Sequence, residues 1–163
     1  MFHCFGSPVL RSIMNDDSAM LELLISFGAD LNICYECDGT LINCCIENGN
    51  VIMLKILLAN GANPNITYGI QGSSLHYCIE KCNCEMLELL LDYGANPDIK
   101  CEFNGTPIHC CIKQMSFEML EILLAKGADA GYREEYNETI SYNWPGVPEL
   151  QEDLYRLFAK YET

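Results

Sequence analysis

At 163 residues, half of them hydrophobic and a fifth charged, the chain has enough apolar material for one packed interior and is too apolar for a disordered polymer. Its formal charge of −14, spread evenly from end to end, repels phosphate backbones and anionic membranes. It therefore argues against nucleic acid as a partner and for encounter with basic proteins, although solubility alone also accounts for it.

No apolar run reaches the roughly 18 residues of a membrane helix, and residues 1–15 lack a basic segment followed by an apolar core, so an intracellular, cytoplasmic protein without a membrane partner is expected. The 11 cysteines, odd in number and without an export signal, read as reduced thiols.

The first element opens weakly at Ser7-Pro8-Val9-Leu10 and is followed by an amphipathic block, Met20-Leu21-Glu22-Leu23-Leu24, closed by Gly28-Ala29-Asp30. That block returns as Met53-Leu54-Lys55-Ile56-Leu57 before Gly61-Ala62-Asn63, and as Met86-Leu87-Glu88-Leu89-Leu90 before Gly94-Ala95-Asn96. Its fourth appearance is Met119-Leu120-Glu121-Ile122-Leu123 before Gly127-Ala128-Asp129, at an unbroken period of 33 residues. Self-similarity of this kind indicates a stack of units, none of which buries its apolar face alone.

The last copy spells out one unit. Thr106 offers an N-cap hydroxyl and Pro107 sits where a helix has no use for an N–H. Ile108, Cys111 and Ile112 follow at helical spacing, the helix weakens at Met115-Ser116, and residues 117–126 form a second helix. Gly127 then supplies the left-handed C-cap. Between units, residues 29–39, 62–72 and 94–105 carry Asp38-Gly39, Gln71-Gly72 and Asn104-Gly105, the chemistry of a turn or hairpin finger.

After Glu138 the pattern decays at Trp144-Pro145-Gly146-Val147-Pro148. A final helix is predicted from Pro148, with Leu150, Leu154, Leu157, Phe158 and Tyr161 on one face and Glu152, Asp153, Arg156, Lys160 and Glu162 on the other. It reads as a C-terminal cap, the alternative being a helical docking motif.

These residues resemble the ankyrin repeat, with its Thr-Pro-Leu-His start, Leu-rich second helix and Gly-Ala-Asp close. Thr106-Pro107-Ile108-His109 matches almost fully, Ser73-Ser74-Leu75-His76 and Thr40-Leu41-Ile42-Asn43 in part, and Ser7-Pro8-Val9-Leu10 weakly. The resemblance covers residues 7–138 and implies an all-α solenoid of stacked helix-turn-helix units with β-turn or hairpin fingers. One domain over 1–163 is expected, with repeats at about 7–38, 39–71, 72–104 and 105–137 and a cap over 138–163. The family's mid-hairpin glycine is kept at Gly49 but is Asp16, Cys82 and Met115 elsewhere, so strained or rearranged turns are expected there.

Catalytic chemistry finds little support. Cys34-Tyr35-Glu36-Cys37 has zinc-like spacing, yet Cys101 belongs to a finger two repeats away, too far for one ion bound at about 2.3 Å, so no metal and no cofactor are expected. Cys45, Cys78 and Cys111 fall in one column where the resemblance implies alanine, and read as core filler. Cys44 and Cys110, one residue earlier, should face the groove beside Tyr77. The resemblance gives His76 and His109 a structural role in tying loops, and no constellation of an enzyme accompanies them.

Binding is expected on the concave side. The finger column Cys37, Ile70, Phe103, Tyr136 is apolar throughout; Tyr35 and Tyr68 run beside it, Glu36, Glu102, Glu134 and Glu135 form an acidic rim, and Tyr77 continues the surface inward. The competing reading is that these tips pack on one another. The expected function is a monomeric, non-enzymatic protein-interaction module, an inhibitor or immunity-type protein of a basic enzyme being its sharper form and an adaptor bridging two partners the alternative.

Overall fold

Helix–turn–helix units follow one another along the chain because each short helix is punctuated at both ends by its own sequence. The computed structural model describes residues 7–35, 39–69, 72–102, 104–129 and 148–161. The first helices of the units are α1 (Pro8–Met14), α3 (Leu41–Glu47), α5 (Ser74–Glu80) and α7 (Pro107–Gln114); the second helices are α2 (Ser18–Ser26), α4 (Val51–Ala59), α6 (Cys84–Asp92) and α8 (Phe117–Ala125). First helices pack on first helices (α1 on α3, α3 on α5, α5 on α7) and second helices on second helices (α2 on α4, α4 on α6, α6 on α8). The result is the stacked all-α solenoid that the 33-residue period predicts.

Three of the four second helices begin on a side-chain cap, Ser116 at the start of α8 making no such bond. Asp17, Asn50 and Asn83 accept from the backbone N–H of Met20, Met53 and Met86 at 2.9, 3.0 and 3.0 Å, satisfying donors that a helix start leaves unpaired. Behind these caps the methionine–leucine blocks fill the core: Met53, Leu54, Leu57, Met86, Leu87, Leu90, Met119 and Leu123 are fully enclosed. Cys45, Cys78 and Cys111 lie in the same interior, and burial pushes all three thiols up, which suits small apolar filler and not nucleophiles.

The mid-hairpin turns are not rearranged. Asp16, Cys82 and Met115 adopt φ of 55, 54 and 57°, the left-handed conformation that Gly49 takes at φ 64°. The turn geometry is thus retained and the strain sits on the side-chain-bearing residue. A second device ties the units together on their outer turns. Asn63, Asn96 and Asp129 donate backbone N–H groups to the side chains of Asn32, Asn65 and Asp98 in the preceding turn at 2.8, 2.7 and 2.9 Å. Those acceptor residues are themselves fixed by local turns onto Asp30, Asn63 and Asn96. The Asx residues at each repeat boundary therefore form a ladder, a role that turn propensity alone does not reveal.

The final helix, α9 (Pro148–Tyr161), begins where the sequence predicts and packs against α8. Leu154 and Phe158 are buried, while Leu157 and Tyr161 pack half-buried against the same core. Lys160 reaches Glu121 of α8 at 2.6 Å, and Arg156 pairs with Glu152 on the polar outer side. The side chain of Leu150 and the stretch 130–147, including the interrupted fifth unit, lie outside the described residues.

Candidate protein-binding face

The fingers are short hairpins set by glycine. β1 (Cys34–Tyr35) pairs antiparallel with β2 (Gly39–Thr40), and single bridges join Tyr68 to Gly72 and Cys101 to Gly105. Gly72 has φ 84°, and a Cβ added there would lie 2.2 Å from the Cys101 sulfur; one added at Gly39 would meet the Tyr68 ring at 3.4 Å. In both pairs a finger's first strand lies against the glycine of the finger before it. At Gly72 only a residue without a side chain admits that approach, whereas at Gly39 the Tyr68 contact is an ordinary one and the closest neighbour of an added Cβ is the Asn43 side chain at 2.8 Å. Cys101, considered from the sequence as a distant zinc ligand, has its sulfur 3.6 Å from His76 Nδ1.

Histidine fixes the finger bases. The backbone N–H of Ser73 donates to His76 Nδ1 at 3.3 Å, so the proton is on Nε2, which donates to the Gly105 carbonyl of the next finger at 3.1 Å. Burial holds the His76 imidazole below its usual pKa, in keeping with this neutral tautomer. Thr106 and His109 repeat the Nδ1 contact at 3.1 Å. Asn43 stands at the same column, and its buried Oδ1 has no hydrogen-bond partner. The loop-tying role that the family resemblance implies is thus met at His76 and missing at Asn43.

Four of the expected contact residues lie within the described chain. Tyr35 and Tyr68 flank consecutive fingers and are half-buried, the Tyr35 hydroxyl being enclosed without a partner. Glu102 is exposed on the third finger. Tyr77, on α5, donates its hydroxyl to Glu47 of α3, and the same carboxylate takes Lys81 at 2.6 Å while Lys81 lies 5.2 Å from the Tyr77 ring centre. Hydrogen bonds from Lys81 and then Tyr77 hold the Glu47 carboxyl below its ordinary range, and burial followed by the bond to Glu47 pushes the Tyr77 phenol up. Glu36, Cys37, Ile70, Phe103, Glu134, Glu135 and Tyr136 lie outside the described residues.

One expectation changes. Cys44 and Cys110 do not present thiols to the groove: both are buried, and Cys110 turns its sulfur toward the Asn104 carbonyl at 3.6 Å, with burial pushing its pKa up to about 11. The column still faces its own finger base, but a larger residue, Tyr77, is needed to reach solvent from it. In keeping with a charge spread along the chain, the described first helices and fingers expose Glu47, Glu80 and Glu102 together with Lys81, Lys100 and Lys113, while exposed Glu85, Glu88, Glu118 and Glu121 place acid on the second helices. The Glu47–Lys81 clamp escaped the sequence reading, yet the signal was there: opposite charges one repeat plus one residue apart.

Among the described residues no three His, Cys, Asp or Glu side chains gather as a metal site, and no helix is long and apolar enough to cross a membrane. The family model described as ankyrin repeats (3 copies) matches residues 9–101 and 74–134. Among solved structures the chain is similar to an ankyrin repeat domain from Acinetobacter baumannii, at 27% identity and a TM-score of 0.68, over 76% of this chain and 66% of that one. No curated protein matches the sequence. Ankyrin repeats are in general protein-interaction modules, and this chain belongs to the ankyrin-repeat family.

Proposed function

We propose that this protein is a non-enzymatic binding module that holds one protein partner along its fingers and first helices. The observation that carries the reading is the row of half-buried tyrosines, Tyr35, Tyr68 and Tyr77, on successive repeats of a scaffold whose fingers are locked in place by His76 and by finger-on-glycine packing. Rigid amphipathic aromatics give large contact area at small entropic cost. Phe103, Ile70 and Tyr136 extend the row in sequence. The partner is basic: the charge of −14 accelerates encounter from a distance, while the mixed charges of the groove set register at contact. Occlusion of a basic enzyme's surface is the mode that fits a scaffold with no catalytic constellation in its sequence.

Pull-down with cross-linking mass spectrometry identifies the partner, and titration of Tyr77→Ala and Phe103→Ala against it tests the face. Each variant is expected to weaken binding at least tenfold, on the order of 1–2 kcal/mol, with steep ionic-strength dependence of the association rate. Unchanged affinity in both variants would sink the proposed face, and a salt-insensitive association rate would sink the basic partner.

A further inference from the structure

Tyr77 stands at the centre of a small cation seat on the first helices. Its hydroxyl donates to Glu47 of α3, and Lys81, at the end of α5, reaches the same carboxylate at 2.6 Å with its ammonium 5.2 Å from the centre of the Tyr77 ring. Glu80, three residues on from Tyr77 and therefore on the same side of α5, is exposed and forms no ion pair among the described residues. Its charge, like that of Glu47, raises the Tyr77 phenol. An aromatic face flanked by two carboxylates suits a cation, and the chain fills it with its own lysine. Near the C-terminus Lys160 is seated in the same manner, 2.6 Å from Glu121 and 5.0 Å from the Tyr161 ring centre. On the footing that the first helices belong to the partner-binding face, we propose that Lys81 holds the place of an arginine of the basic partner, whose guanidinium displaces it to stack on Tyr77 and pair with Glu47 and Glu80.

Lys81 is easily displaced. The side chains of Lys81 and Glu47 are 35 and 51% exposed, and an ion pair so open to water contributes little. The carboxylate keeps its position when the lysine leaves, because the Tyr77 hydroxyl still holds it across the boundary between α3 and α5. The choice between partner cations follows from the exchange. A partner lysine would replace one ammonium by another and gain nothing, whereas a guanidinium lies flat on the ring and offers paired N–H donors to carboxylates on either side of it. The seat is also bounded along the stack: the column of Glu47 and Glu80 continues one unit further on as exposed Lys113, which opposes a second cation there. One arginine is therefore accepted beside Tyr77, and its place in the register of the complex is fixed.

NMR titration of the full isotope-labelled chain with Nα-acetyl-arginine amide, its lysine counterpart and the uncharged isostere Nα-acetyl-citrulline amide reads this directly. Saturable shifts at Glu47 and over residues 77–81 are expected with the arginine amide at a Kd of about 1–10 mM, with weaker shifts for lysine and none for citrulline. Lys81→Ala removes the internal competitor and is expected to tighten the arginine amide roughly threefold. Tyr77→Leu and Glu47→Gln are each expected to weaken it by about the same factor. Arginine and citrulline amides that behave alike overturn the proposal, as does a Lys81→Ala protein that binds the arginine amide no tighter than the natural chain. The complex with the partner separates the seat from the face. If Tyr77→Ala and Phe103→Ala weaken the complex and Lys81→Ala weakens it too, the face stands and the arginine seat falls. If neither Tyr77→Ala nor Phe103→Ala changes it, the face falls and takes this inference with it, even where the isolated arginine amide binds.

Discussion

At the C-terminal end α9 lies across α8 and encloses Leu154 and Phe158, whereas at the N-terminal end Met20, Leu23 and Phe27 of α2 look outward. Both ends are cut from the same repeating hairpin. What separates them is that the chain spends a helix of different sequence on one and none among the described residues on the other. A repeat encodes a complementary surface on each of its sides, so the period by itself never says how a stack stops. Stability should consequently be distributed unevenly, with the covered end cooperative with the interior and the open end contributing little through the side chains it exposes.

Phe158→Ala should separate the ends most sharply. Truncating this enclosed ring is expected to cost about 3–5 kcal/mol, with amide exchange in α7 and α8 accelerating before that in α3 and α4. Moving inward, Asn43→His should stabilise by about 1 kcal/mol, because an imidazole there can reach the Gly72 carbonyl as His76 reaches Gly105, and the orphaned Asn43 Oδ1 disappears. A denaturant midpoint that fails to rise would show that the N-terminal fingers are held otherwise than the central ones.

Cys82→Gly and Met115→Gly should each stabilise by about 1 kcal/mol by relieving a left-handed backbone, measured as slower unfolding. The histidine linkage is smaller and has a definite sign. Since burial depresses the folded-state pKa of His76 below 6.5, the unfolded chain binds the proton more readily, so stability is complete above that value and declines as pH falls through it. Between about pH 7 and pH 5 the thermal midpoint should drop more for the natural chain than for His76→Asn, the carboxylates Glu47 and Glu121 responding only at lower pH. Smallest of all, Phe27→Ser should change stability by less than about 0.5 kcal/mol; a large loss would mean that the open end is not open.

The repeats and the final helix were legible in the sequence because they rest on local rules that recur from unit to unit: an apolar block and a glycine that turns left-handed in all four, and a capping side chain ahead of three of the second helices. Gly28, Gly61, Gly94 and Gly127 alone locate every second helix, and Pro148 with the spacing of Leu154 and Phe158 locates α9. The binding face was legible only as a column. Whether Tyr77 is available or engaged depends on Glu47 and Lys81, which come from different units, and whether a cysteine faces the groove depends on how far its short side chain reaches. Cys44 and Cys110 share a column with Tyr77 and end buried. The ladder of Asn32, Asn65 and Asp98 was hidden for the same reason, its hydrogen bonds joining residues 31 positions apart.

That ladder has a mechanical consequence. Each rung crosses one boundary, and the three crossings lie in series on the same outer edge. Tension applied between the two termini would load all three equally, the weakest giving way first, so the molecule should lengthen in discrete steps about one unit long and re-form each rung on release, behaving as a short spring with its stiffness written in asparagine and aspartate.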